Sequence, residues 1–138
     1  MIALLLALQA ATPSTVPPPP QPIVDCFAPG PFIVFFDRDS AVIGAEARAV
    51  LRTFARVEKE HCAGPFRFAV TGHADRGEGT GIDARRAGAV RRFLIGLGLR
   101  DLIGATRGLG TTVPRVLRPA GVEDRQNRRV ELDPLPGG

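Results

Sequence analysis

The apolar and polar positions of this chain change period several times, and each change predicts an element. Phe32-Ile33-Val34-Phe35-Phe36 is an unbroken apolar run rich in β-branched and aromatic residues, which predicts a strand buried on both faces. It ends in the polar, turn-like Asp37-Arg38-Asp39-Ser40. From about Gly44 to His61 the residues Ala47, Val50, Leu51, Phe54 and Val57 recur at helical spacing. Arg48, Arg52 and Arg56 fall on another side; such a run is a solvated face, and like charges four apart cost the helix a little stability. Gly64 and Pro65 stop this helix. Phe66 to Thr71 alternates as a second strand, which Gly72-His73-Ala74-Asp75 leaves. Ile82 to Leu97 is a second helix with Asp83 as N-cap, Ile82 stapled onto Ala87, and a core stripe of Ala87, Val90, Leu94 and Leu97. A weaker strand runs from Ile103 to Gly110, an irregular connection spans Pro114 to Val122, and a last strand covers Asn127 to Leu132, with Arg129 and Glu131 on one face and Val130 and Leu132 on the other. The order strand-helix-strand-helix-strand-strand predicts an α/β (α+β) sandwich: a mixed four-stranded sheet with two main helices on one face.

The flanks differ in character. Residues 1–11, MIALLLALQAA, form an apolar run too short to span a bilayer and ending in small residues. They are expected to be a signal peptide, although no basic residue precedes the run. Residues 12–25 include the uncharged TPSTVPPPPQP, a tether in which Pro17 to Pro20 favour polyproline II. The folded domain is expected over 26–133 and a disordered tail over 134–138, with no transmembrane segment in the mature chain.

Composition narrows the partners. The formal net charge is +4, and Lys59 is the only lysine among 18 basic residues. Such basicity suits nucleic acid, an acidic membrane face or a carboxylate-bearing polymer. Nucleic acid is disfavoured: the arginines are dispersed, no helix-turn-helix or zinc pattern occurs, and there is no Tyr or Trp for base stacking. Cys26 and Cys62 lack C-x-x-C spacing. A helix packing back along the first strand brings them near each other, and in an oxidising compartment they are disulfide candidates. The bridge closes a loop of 36 residues (62 − 26) and contributes about 3–4 kcal/mol.

The chemistry concentrates at Thr71-Gly72-His73-Ala74-Asp75, the loop Arg76 to Gly81, and Ile82-Asp83-Ala84-Arg85-Arg86-Ala87. A carboxylate closes a strand, and eleven residues later (86 − 75) a guanidinium sits in the first turn of a helix. Opposite charges held by a strand-loop-helix unit suit a zwitterion. The plainer alternative is a salt bridge between Asp75 and Arg86 that closes the loop. The loop's G-x-G-x-G is neither a dinucleotide fingerprint nor a P-loop, and Glu78 within it repels phosphate. An enzyme would pair His73 and Asp75 as base and orienter with Ser40 or a cysteine as nucleophile, but residues two apart on a strand touch poorly and no third group has fitting spacing. A metal set of His61, His73 and Asp75 lacks a fourth ligand, and Asp37 with Asp39 lacks further oxygen donors. Neither a metal nor a cofactor is expected.

Taken together, Phe36-Asp37-Arg38-Asp39-Ser40-Ala41, Thr71-Gly72-His73-Ala74-Asp75, Ala84-Arg85-Arg86-Ala87 with Val90, Gly108-Leu109-Gly110 with Pro114, and Asn127-Arg128-Arg129-Val130-Glu131 resemble the OmpA-like C-terminal domain family. The resemblance covers about Ile33 to Leu132. It implies a non-enzymatic periplasmic module, associated with the cell wall or outer membrane, that binds peptidoglycan non-covalently. It implies further that Asp75 takes the ammonium of the stem peptide's diaminopimelate and Arg86 grips its carboxylate, with an arginine of Asn127-Arg128-Arg129 assisting, of which strand parity favours Arg129. An outer-membrane protein is the other implied partner. The alternative is a degenerate domain serving as a protein–protein interaction module. Two departures stand out: the loop between Asp75 and Arg86 is shorter than the family's usual form, and the asparagine normally upstream of the helix is missing; Asp83 replaces the usual serine cap.

Overall fold

The computed structural model describes Pro17 and residues 31–60 and 67–135. The expected signal peptide, most of the tether, Cys26, His61 and Cys62 lie outside the described residues. Six elements carry the fold: β1 (Phe32–Phe35), α1 (Ala45–Glu60), β2 (Phe68–Gly72), α2 (Ile82–Gly96), β3 (Ile103–Gly108) and β4 (Arg129–Pro134). The sheet order is β1-β4-β2-β3, with β4 antiparallel to both its neighbours and β2 parallel to β3. This is the mixed four-stranded α+β architecture that the sequence pattern predicts.

Register explains which face is packed. Val34 lies opposite Val130, and Val70 opposite Leu132; all four join one core cluster with Leu51 and Phe54 of α1 and Ala87, Val90 and Leu94 of α2. Both helices therefore cover the same sheet face. Phe54 sits between Phe32 and Phe68, edge-on to each with ring centroids 4.9 Å apart. Among the described residues no helix is long and apolar enough to cross a membrane.

Several elements differ from the pattern-based expectation. β1 is an edge strand rather than one buried on both faces: Val34 is buried, while Ile33 and Phe35, which point away from the helices, are only partly covered. The buried face of α1 is Ala47, Leu51, Phe54, Ala55 and Glu58, with Val50 and Val57 at its margin. β3 stops at Gly108, and β4 begins two residues later than expected and continues through Pro134. A 3₁₀ turn over Arg125–Asn127 occupies the start expected for that strand.

Asp83 is not the cap of α2. The cap is Gly81, at φ 82° and without any side-chain hydrogen bond, a left-handed conformation that glycine adopts without steric cost. The Asp83 carboxylate instead accepts from the Gly110 N–H at 2.8 Å, tying the helix start to the end of β3.

Candidate functional site

The end of β2, the start of α2 and the turn after β1 converge on one point. The close approach of α2 to β2 depends on Gly72: a Cβ there would lie 1.9 Å from the Asp83 carbonyl oxygen. This contact puts the first turn of α2 beside the residues that follow β2. Arg86 is thereby driven inward and is fully buried.

A buried guanidinium must have its five N–H donors satisfied, and here every one is engaged. Nε donates to Ser40 O at 2.9 Å, one Nη1 hydrogen to His73 O at 3.1 Å, and one Nη2 hydrogen to Asp37 O at 3.0 Å. The remaining two go to Glu78: Nη1 to Oε1 at 2.7 Å, and Nη2 to Oε2 in a short contact. Both side chains of this pair are 0% exposed, although the backbone of Glu78 belongs to a surface loop. Glu78 also accepts from the N–H groups of Asp75 and Asp39, each at 2.8 Å. Burial pushes the Glu78 carboxyl upward, but the bonds from Arg86, Asp75 and Asp39 outweigh it and hold its pKa below the ordinary value. It is a carboxylate in a cage of four donors.

Asp75 and Arg86 therefore lie at one site but do not form the simple salt bridge that their spacing suggested. Glu78 stands between them, bonded to the guanidinium of one and the backbone of the other. The Asp75 carboxylate is itself buried and faces the other way, accepting from Asp124 N–H at 2.7 Å and Asn127 Nδ2 at 3.3 Å. Asn127 is the joint behind it. Its Nδ2 also donates to Val116 O, and its Oδ1 accepts from the N–H groups of Arg115 and Val116.

Arg129, favoured by strand parity, lies elsewhere. Its Nε donates to Glu131 at 2.6 Å and its Nη2 to Val113 O, on the sheet face away from the helices. The arginine near Asp75 is Arg128, whose Nη1 lies 3.9 Å from Asp75 Oδ2 and 3.9 Å from Glu123 Oε2. Its side chain is 12% exposed, and only Nε makes a hydrogen bond among the described residues, to Phe36 O. A cleft of about 250 Å³ lined by Arg38, Arg76, Gly77, Gly121, Val122 and Glu123 opens beside the loop. A smaller hollow reaches Asp75 itself past Arg76, Leu117 and Arg118. Glu78 and Asn127 are the participants to which the sequence assigned no role in binding, and Arg128 is the arginine of Asn127-Arg128-Arg129 that strand parity passed over. The signal available for Glu78 was its isolation between glycines in a short loop.

His73 makes no hydrogen bond to Asp75. It is buried, and neither ring nitrogen has a hydrogen-bond partner among the described residues; Glu131 Oε2 lies 3.7 Å from Nε2. Burial and then the Arg129 charge lower its pKa from 6.5, against the opposing pull of Glu131 and Asp83, with Arg107 adding to the lowering. The unfolded chain binds a proton near that ordinary value while the folded one resists it, so this contribution to stability is complete above it and is lost as pH falls below it. Glu58 and Asp133, whose carboxyls are raised chiefly by burial, act in the opposite sense. The diagnostic quantity is therefore a difference: between about pH 7 and about pH 5, the melting temperature of the parent should fall more steeply than that of His73→Gln. Parallel curves would show that His73 carries no linkage.

No family model matches the chain, and no curated protein sequence matches it. Among solved structures, the peptidoglycan-associated lipoprotein from Burkholderia pseudomallei is 30% identical, with 75% of this chain and 89% of that one covered and a TM-score of 0.64. The chain belongs to the OmpA-like domain family. The OmpA-like domain of FopA1 from Francisella tularensis has the same fold at 23% identity, a TM-score of 0.59, and 77% and 73% of the two chains covered. So does the cell wall anchor of the T6SS from Pseudomonas aeruginosa, at 24% identity and a TM-score of 0.58, over 72% of this chain and 76% of that one. Within this OmpA-like domain, Asp75 lies just past the end of β2 and Arg86 near the start of α2, with Glu78 between them.

Proposed function

We propose that this OmpA-like domain binds peptidoglycan non-covalently in the periplasm and anchors or organises the cell envelope, without enzymatic activity. The finer assignment is that the site recognises the free end of diaminopimelate, with Asp75 attracting the ammonium and Arg86 gripping the carboxylate. The observation that carries this is the four-donor cage around Glu78. The position beside Asp75 is already built to hold a carboxylate, with a bidentate arginine and two backbone N–H groups. The similarity to a peptidoglycan-associated lipoprotein and to a cell wall anchor supports the same direction. Arg129 has no place in the proposed contact as the chain is folded; Arg128, beside Asp75, takes its supporting role.

The same cage also favours a second reading, because Arg86 has no donor left over. In that reading the domain has lost cell-wall binding and serves as a protein–protein module. Co-sedimentation with purified sacculi separates the two. The parent should sediment, and Asp75→Asn, which keeps the shape and the acceptor for Asp124, should bind about 10- to 100-fold more weakly, the equivalent of one hydrogen bond to a charged group. A folded parent that stays in the supernatant favours the interaction module. Equal sedimentation of parent and variant removes Asp75 from the site.

A further inference from the structure

We propose that Glu78 is a tethered stand-in for the ligand's carboxylate, and that an external carboxylate enters the Arg86 cage by exchange with it. The proposal rests on the peptidoglycan reading for the ligand's identity, but not for the existence of an exchangeable carboxylate site.

Three observations carry it. First, no donor of the cage belongs to the loop 76–81 that supplies the occupant. The donors are Arg86 of α2, the N–H of Asp75 at the end of β2, and the N–H of Asp39 in the turn after β1. Arg86 is independently positioned by the carbonyls of Asp37, Ser40 and His73. Removing the occupant therefore leaves the receptor in place.

Second, the loop is held closed mainly by the carboxylate it inserts. The four bonds of Glu78 to the cage are all 2.8 Å or shorter. Apart from the helical bond from Arg85 N–H to Gly81 O at 3.1 Å, the other tethers of the loop are long: Glu78 N–H to Asp75 O at 3.3 Å, Ile82 N–H to Gly79 O at 3.3 Å, Gly79 N–H to Asp39 Oδ1 at 3.2 Å, Arg38 Nη2 to Gly77 O at 3.3 Å and Arg85 Nη1 to Thr80 O at 3.3 Å. Bonds of that length lie at the weak end of the range. Gly77 and Gly79 flank Glu78 and are exposed, and Gly77 has φ 79°, so the backbone on both sides is free to turn the side chain outward without moving core residues.

Third, exchange conserves what an emptied cage loses. One carboxylate replaces another against the same guanidinium and the same two N–H groups, so charge and hydrogen-bond count are unchanged, and Glu78 regains water. The ligand meets a site whose competent form is a minority, and its apparent affinity is reduced by that fraction. Glu78 thus sets the threshold for binding.

The test uses the full chain with Glu78→Ala and Glu78→Gln, checked for fold by circular dichroism, and two readouts. In the first, melting temperature is followed against sodium acetate, with sodium chloride at equal ionic strength as the reference. Acetate should raise the midpoint of Glu78→Ala in a saturating manner and leave the parent unmoved. If Glu78→Ala folds only in acetate, that result supports the proposal as well. In the second, sacculus binding by Glu78→Gln should be at least about tenfold tighter than by the parent. An acetate effect without sacculus binding by any variant overturns the peptidoglycan reading and keeps the exchangeable site. The absence of an acetate-specific effect on Glu78→Ala overturns the exchangeable site, whether or not sacculi are bound.

Discussion

Arg86→Ala is expected to destabilise the domain by about 3–5 kcal/mol, because it breaks a buried ion pair and leaves the carbonyls of Ser40, His73 and Asp37 without their donor. Glu78→Ala leaves the opposite charge stranded and should fall in the same range. The double variant should cost much less than the sum of the two, since neither charge then lies buried alone. Urea denaturation of the parent, both single variants and the double variant measures the coupling directly. A strictly additive double variant would mean that the pair does not share a dry environment. Domains of this kind have roughly 5–15 kcal/mol of stability in total, so either single change removes a large share of it. That has a practical consequence for the binding site: lost sacculus binding by Arg86→Ala is uninformative unless the variant is shown to be folded. Asp75→Asn and Glu78→Gln are the cleaner probes.

Gly72→Ala is the second large effect, at the upper end of the about 1–3 kcal/mol typical of overpacking. The added methyl would meet the Asp83 carbonyl oxygen at 1.9 Å and the Ala87 methyl at 3.2 Å. The first obstacle is backbone, which has no alternative rotamer to relieve the clash. The start of α2 must therefore lift from the sheet, taking Arg86 with it. Gly108 faces the same problem from β3, where a Cβ would lie 2.2 Å from Asp83 Oδ2. The prediction has two parts, a lower unfolding midpoint and a loosened cage, the latter read by faster amide exchange at Asp75 and Asp39, whose N–H groups Glu78 protects. A Gly72→Ala protein with parental stability and exchange would show that the helix start yields easily and does not determine the site.

These two positions mark how far local pattern reaches. By itself the sequence determined the element order, most of the two core stripes and the placement of Asp75 just past a strand end and Arg86 near the start of a helix. Those features follow from the periods of the apolar residues and from chain breaks, which act over a few residues. The sharing of one sheet face by both helices also follows, because β-α-β units feeding one sheet leave few alternatives.

What only the tertiary structure decided is which groups meet. Glu78 reaches Asp39 across 39 residues of chain, and Asp75 reaches Asp124 across 49; no periodicity encodes such contacts. The glycine-rich loop reads as a spacer until its side chain is seen folded into the Arg86 fork. Strand alternation placed Arg129 near Asp75, but the strand begins only at Arg129, and Arg128 precedes it at φ −88°, ψ 80° after a 3₁₀ turn, so alternation does not govern where Arg128 points. The cap of α2 shifted from Asp83 to Gly81 for a related reason, since the Asp83 carboxylate finds a better partner at the end of β3. The charged pair legible in the sequence thus became a three-membered site. The third member came from the glycine-rich loop, because a fully buried arginine requires a carboxylate and Glu78 is the one that the packing brings to it.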